Sequence, residues 1–173
     1  MKGAILLSLF ALLAKFSVVS PLTGRVEFQG RGEPGPLWRE GVRVSVCAPG
    51  YWEEFTTQTD THGRYHVWLQ NPPRELTVCI NGVHSLGACV GGVQRVRQTF
   101  VVPKLTLLEG DANGDNRVDE ADLAILQAAY DTSRGDPRFD EFCDFNLDGK
   151  VDVVDLAILS ANMGREGGSC GER

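Results

Sequence analysis

Two stretches near the C-terminus carry the same residues at the same spacing, and this repeat limits what the chain can fold into more than any other feature. With Asp111 set on Asp144, an offset of 33 residues, Asn113 meets Asn146, Asp115 meets Asp148, Val118 meets Val151, Asp119 meets Asp152 and Asp122 meets Asp155. Each set runs into the same Leu-Ala-Ile-Leu, at Leu123 to Leu126 and Leu156 to Leu159. Repeats of this size imply two similar units that bury a shared core. Leu123, Leu126 and Tyr130, then Leu156, Leu159 and Met163, have helical spacing, so each polar stretch is expected to be a loop leading into a helix.

The polar positions are one, three, five, nine and twelve of each loop. A chain wound round a hard cation presents alternate side-chain oxygens at that spacing, and calcium takes about six to eight of them. The loops are therefore of EF-hand type, with two Ca2+ ions expected. In the first, Asp111, Asn113 and Asp115 would give side-chain oxygens, Arg117 its carbonyl, Asp119 a water-mediated contact and Asp122 the closing ligand. Asp144, Asn146, Asp148, the Lys150 carbonyl, Asp152 and Asp155 would do the same in the second. Gly149 holds the sixth position, where φ must be positive, and Asn116 holds it in the first loop, which should cost slightly more to close. Val118 and Val151 are expected to pair across the loops, and Asp119 and Asp152 to cap the helices. More than half of the 23 acidic residues lie between Glu109 and Asp155. A generic acidic surface would not repeat this order, and without metal such carboxylates repel, so folding should be coupled to calcium.

Upstream the period changes to two. Val42 to Val46, Tyr65 to Leu69 and Leu76 to Ile80 alternate as half-buried strands do, separated by Asp60-Thr61-His62-Gly63, Asn71-Pro72-Pro73 and Asn81-Gly82. The pattern predicts an antiparallel β-sandwich, with Val96, Phe100 and Val102 on its last inward-facing strand and Pro103 at its border. The run Gly41-Val42-Arg43-Val44-Ser45-Val46, followed by Thr57, Thr59-Asp60, Gly63 and Tyr65, resembles the carboxypeptidase-regulatory-like or transthyretin-like sandwich of exported bacterial proteins. That resemblance implies a non-catalytic spacer or adhesion unit.

Leu105 to Glu109 is too short for a full entering helix, and a loop followed by an exiting helix, duplicated, resembles a type I dockerin. Gly110-Asp111-Ala112-Asn113-Gly114-Asp115, Asp122-Leu123 and Asp155-Leu156 carry the likeness. It implies a cohesin-type partner on scaffolds of polysaccharide-degrading assemblies, faced by Glu120, Ala121, Gln127 and Ala128 in the first copy and by Val153, Val154, Ser160 and Ala161 in the second. These pairs differ between copies, and the Ser-Thr and Lys-Arg pairs of familiar dockerins are missing, so two equivalent docking modes are not expected. Val153-Val154 would be a partner anchor or an intramolecular packing patch. In a second reading the repeat is a calcium-rigidified clasp packed on its own sandwich through Leu105, Leu107 and Leu108. In a third, Trp38, Tyr51, Trp52 and Trp68 form a sugar-stacking platform for a polysaccharide. Catalysis is not expected, because the aspartates are committed to metal loops and His62, His66 and His84 have no nucleophile at a recognisable spacing.

The fold class expected is multidomain β + α: a signal peptide at 1–20, a sandwich at 21–104, a dockerin-like pair of EF-hand-like loop–helix motifs at 109–166 and a tail at 167–173. Met1-Lys2 before the apolar run Ala4 to Ala14, broken by Lys15, has the order of a secretory signal and is too short to span a bilayer, implying secretion or the cell surface. A formal charge of −6 argues against nucleic acid. The five cysteines suit an oxidising compartment and contain no CxxC; one bridge is expected among Cys47, Cys79 and Cys89, with Cys143 and Cys170 flanking the last helix.

Overall fold

The computed structural model describes residues 17–171, so the apolar run assigned to a signal peptide lies outside the described residues. β1 (Val19–Phe28), β2 (Gly41–Ala48), β3 (Tyr51–Gln58), β4 (Arg64–Gln70), β5 (Glu75–Asn81), β6 (Ala88–Val96), β7 (Thr99–Val101) and β8 (Leu105–Leu107) form the sandwich. α1 (Glu120–Ala129), β9 (Thr132–Ser133), β10 (Lys150–Val151) and α2 (Val153–Asn162) follow. No helix among the described residues is long and apolar enough to cross a membrane.

The strands run β3-β2-β5-β6-β7-β1-β4 in one path, and its two ends, β3 and β4, lie against each other. Val42, Val44 and Val46 from one layer and Tyr65, Val67 and Leu69 from the other therefore bury in the same core, with Leu22, Ile80 and Phe100. β6 is the corner strand. It pairs with β5 through Val90 and Val93 and with β7 through Arg95 and Val96, after a register shift opposite Leu76/Val78 that spans Gly91-Gly92. Such an extra residue bends a strand and lets it change layers.

The sheet is not wholly antiparallel as expected. β1 pairs antiparallel with β4 but parallel with β7 and with β8, where Val26, Glu27 and Phe28 face Leu105, Thr106 and Leu107. Pro103 is thus not the border: it separates two short strands that both pair with β1, and Leu107 is fully buried in the sandwich core. β1 likewise begins at Val19, inside the segment assigned to the signal. Val96 does not point inward; it sits beside the Arg97 turn and is 63% exposed, while Phe100 and Val102 are buried as expected. Trp38 is buried edge-on against Phe28, which removes it from any sugar platform, although Trp68 is exposed.

The second core gathers Ala112, Val118, Leu126, Phe145, Val151 and Leu159 with Leu86, a sandwich residue. The two units are joined by polar contacts as well. Arg31 is ion-paired with Glu40 and with Glu109 and lies 4.2 Å over the Phe28 ring, all three charged side chains being buried. Burial pushes the Glu109 carboxyl up to about 8, against the pull of Arg31 and with Glu40 adding to the rise. Asn162 Nδ2 donates to the Glu109 carbonyl at 2.6 Å and to Gln29 Oε1. Gly30, at φ +81°, packs closely on α2: a Cβ there would lie 2.5 Å from Ile158 Cδ1, whose side chain would have to shift.

Removing the guanidinium strands two buried carboxyl groups on one interface. Arg31→Met should lower unfolding stability by about 3 kcal/mol. Urea titration checks this, and a loss below about 1 kcal/mol would mean that the network carries no stability.

Candidate functional site

The two acidic loops are closed in the same way by their end aspartates, which are their anchors. Asp122 Oδ1 accepts the Ala112 and Asn113 N–H groups at 2.8 and 3.1 Å, and its Oδ2 accepts Asp119 N–H at 2.8 Å. Asp155 repeats this with Phe145, Asn146 and Asp152. Asp119 and Asp152 cap the helices, their side chains accepting Ala121 and Val154 N–H, and each forms a capping box with the twelfth-position aspartate. The position-twelve residue thus closes the loop and starts the helix.

Within the loops Asn113 Oδ1 accepts Asp115 N–H and Asp115 Oδ1 accepts Arg117 N–H, with Asn146, Asp148 and Lys150 in the same relation. Arg117 bridges Glu166 and Lys150 pairs with Ser133, while the ladder bonds come from their neighbours, including Val118 to Arg165 and Asp131 to Val151. Alternation along an extended strand turns the Arg117 and Lys150 carbonyls to the other side, toward the loop. Val118 and Val151 are buried but do not pair with each other, contrary to expectation. Each loop is stitched instead to the segment after the other unit's helix.

The sixth residues have positive φ as expected, +69° at Asn116 and +88° at Gly149. Sequence reasoning missed the fourth position, where Gly114 and Leu147 also lie at positive φ, 76° and 61°. It also missed the second, where Ala112 and Phe145 point into the core. An apolar residue beside each first aspartate was the available signal.

Among the described residues no three carboxylate, imidazole or thiol side chains form a ready metal cluster. The carboxylates are turned onto loop N–H groups, yet the donor set is all hard oxygen and one donor is unsatisfied. Asp144 Oδ1 is buried without a hydrogen-bond partner. Burial also raises the Asp111, Asp144 and Asp155 carboxyls above the ordinary aspartate range, helped by neighbouring carboxylates. A buried lone pair among crowded acids fits a divalent cation.

Glu120, Ala121, Gln127 and Ala128 on α1 and Val153, Val154, Ser160 and Ala161 on α2 or at its start are all exposed, with Val153 at 62%. The cysteines pair as Cys79–Cys89 across β5 and β6 and as Cys47–Cys170, tying the tail to β2; Cys143 is free and buried in the second core.

Residues 109–164 match the dockerin type I domain. No curated protein matches the chain. The fold resembles a chain in each of two crystal structures of a type II cohesin–X-dockerin complex from Acetivibrio cellulolyticus, one mutated at a C-terminal interface and one at an N-terminal interface. The first has TM-score 0.66 at 19% identity and the second 0.67 at 18%; each match covers 86% of this chain and 97% of that one. A match of that extent takes in both the sandwich and the repeat.

Leu147 is a bulky residue held where glycine stands in the first loop. Leu147→Gly should raise stability by about 1 kcal/mol by relieving the left-handed backbone. Thermal unfolding that gives a lower midpoint than the parent would contradict this.

Proposed function

We propose that the chain is an exported, non-catalytic assembly module whose repeat folds round two Ca2+ ions and docks a cohesin-type protein. The observation that carries this reading is the dockerin type I match laid over two loops that their twelfth-position aspartates close alike. The ligands would be Asp111, Asn113, Asp115, Arg117, Asp119 and Asp122, then Asp144, Asn146, Asp148, Lys150, Asp152 and Asp155. Calcium supplies charge neutralisation and rigidity, and as a ligand of the folded state it would add about 2.7 kcal/mol per site at a hundredfold excess over Kd.

The partner surface we propose is the exposed set on α1 and α2, with Val153 and Val154 as its apolar centre. Exposed valines side by side, next to a helix start, suit an anchor that a partner desolvates. Export rests on the charge-then-apolar order of the first 15 residues and on a cysteine set that suits oxidation. In the boundaries we propose, the sandwich runs from Ser17 to Leu107 and the repeat from Glu109 to Glu166, with the tail belonging to both through Cys47–Cys170.

A second reading has its own support. The buried Arg31, Glu40 and Glu109 contacts, the shared residue Leu86 and the tail disulfide hold the repeat on its own sandwich, as a calcium-rigidified clasp would be held. Such packing does not exclude docking, because the eight partner-facing residues remain exposed.

Two measurements test the proposal together. Calorimetric titration of the full chain with calcium should give two ions per chain, and Val154→Asp should abolish capture by a cohesin while leaving that titration unchanged. Calcium binding with undiminished capture by the variant would contradict the surface, and calcium binding with no capture by the parent chain would favour the clasp.

A further inference from the structure

We propose that the first loop is the tighter of the two cation sites, because Asn116 and a disulfide-anchored strap hold it closed against the sandwich. This rests on the calcium reading above. Asparagine at loop position six looks like a compromise, since its backbone has φ +69°, which glycine adopts more easily. Its side chain, however, does what no glycine can. Asn116 Oδ1 accepts Gly87 N–H at 2.7 Å and Asn81 Nδ2 at 3.2 Å, both from the sandwich, and its Nδ2 donates to the Gly167 carbonyl at 2.9 Å.

The strap leaves α2 at Gly164 and crosses the loop. Gly164 N–H donates to the Val118 carbonyl and Gly167 N–H to the Asn116 carbonyl. It then donates from Gly168 to the Gly87 carbonyl at 2.7 Å and ends at Cys170, bonded to Cys47 on β2. The corresponding segment behind the second loop has matching ladder bonds, from Asp131 to Val151 and from Arg134 to Gly149, but carries no disulfide. Gly149 has no side chain with which to reach a neighbour.

The first-position aspartates register the difference. Both oxygens of Asp111 are engaged, by the Gly114, Asp115 and Asn116 N–H groups, whereas Asp144 accepts Gly149 N–H on Oδ2 and leaves Oδ1 without a partner. A loop already held in its closed form loses less conformational freedom when a cation arrives, so it binds more tightly. Asn116 and the strap are thus positioning residues, acting through the shape of the loop.

The test is a calcium titration of the full-length oxidised chain followed by NMR, reading the amides of positions 116 and 149 separately. The first loop should saturate at about tenfold lower calcium than the second, a modest coupling by usual standards. Asn116→Gly should erase that difference by weakening the first loop about tenfold, although glycine suits the local backbone better. The double variant Cys47→Ser/Cys170→Ser should shift the first loop in the same direction and leave the second unchanged. Unchanged or tighter binding at the first loop in Asn116→Gly, or equal weakening of both loops, overturns the inference. Two equal sites in the parent chain overturn it alone, whereas no binding at either loop overturns the calcium reading and this inference with it.

Discussion

Each acidic loop is closed by the other unit: the Val118 carbonyl and N–H pair with Gly164 and Arg165 behind α2, and the Val151 carbonyl pairs with Asp131 behind α1. These contacts are related by the same 33-residue offset as the sequence repeat. Each half thus takes closing hydrogen bonds from the other, and Val118, Leu126, Val151 and Leu159 share one core. This reciprocity is why two short helices, each of 10 residues, can be stable at all. Isolated helices below about 12 residues are marginal in water and rely on packing.

The sandwich breaks the symmetry. Ala129 at the end of α1 is an ordinary core residue, but its counterpart Asn162 donates to Glu109 and Gln29 and so ties α2 to the chain just after β1 and after β8. Asn116 and Gly149 differ in the same sense. The repeat is therefore held in one orientation, and the exposed pairs Glu120-Ala121 and Val153-Val154 differ in charge and bulk, so on the surface proposed above a partner would meet two halves that are not interchangeable.

Much of the candidate site was legible because its determinants are local. Loop spacing, the Asp119 and Asp152 caps and the amphipathic helices each depend on residues within a few positions of one another. The strands at Val42 to Val46, Tyr65 to Leu69 and Leu76 to Ile80 were legible for the same reason. What escaped was long-range. Nothing in Leu105-Thr106-Leu107 announces a parallel partner in Val26 to Phe28, and nothing near Cys170 points to Cys47, 123 residues away. Arg31 reads as a surface charge until Glu40 and Glu109 are brought to it by the fold. Leu147 was hidden by its chemistry, because a leucine gives no sign of a left-handed backbone.

The central claim is that the loops become rigid by taking up a cation, while the sandwich stands without it. Amide hydrogen exchange of the full chain, measured with calcium and with a chelator, addresses this position by position. The account predicts that the amides held by Asp111, Asp122, Asp144 and Asp155 exchange much faster in chelator while those of β2 and β5 keep their protection. Equal protection of the loop amides in both conditions would contradict it.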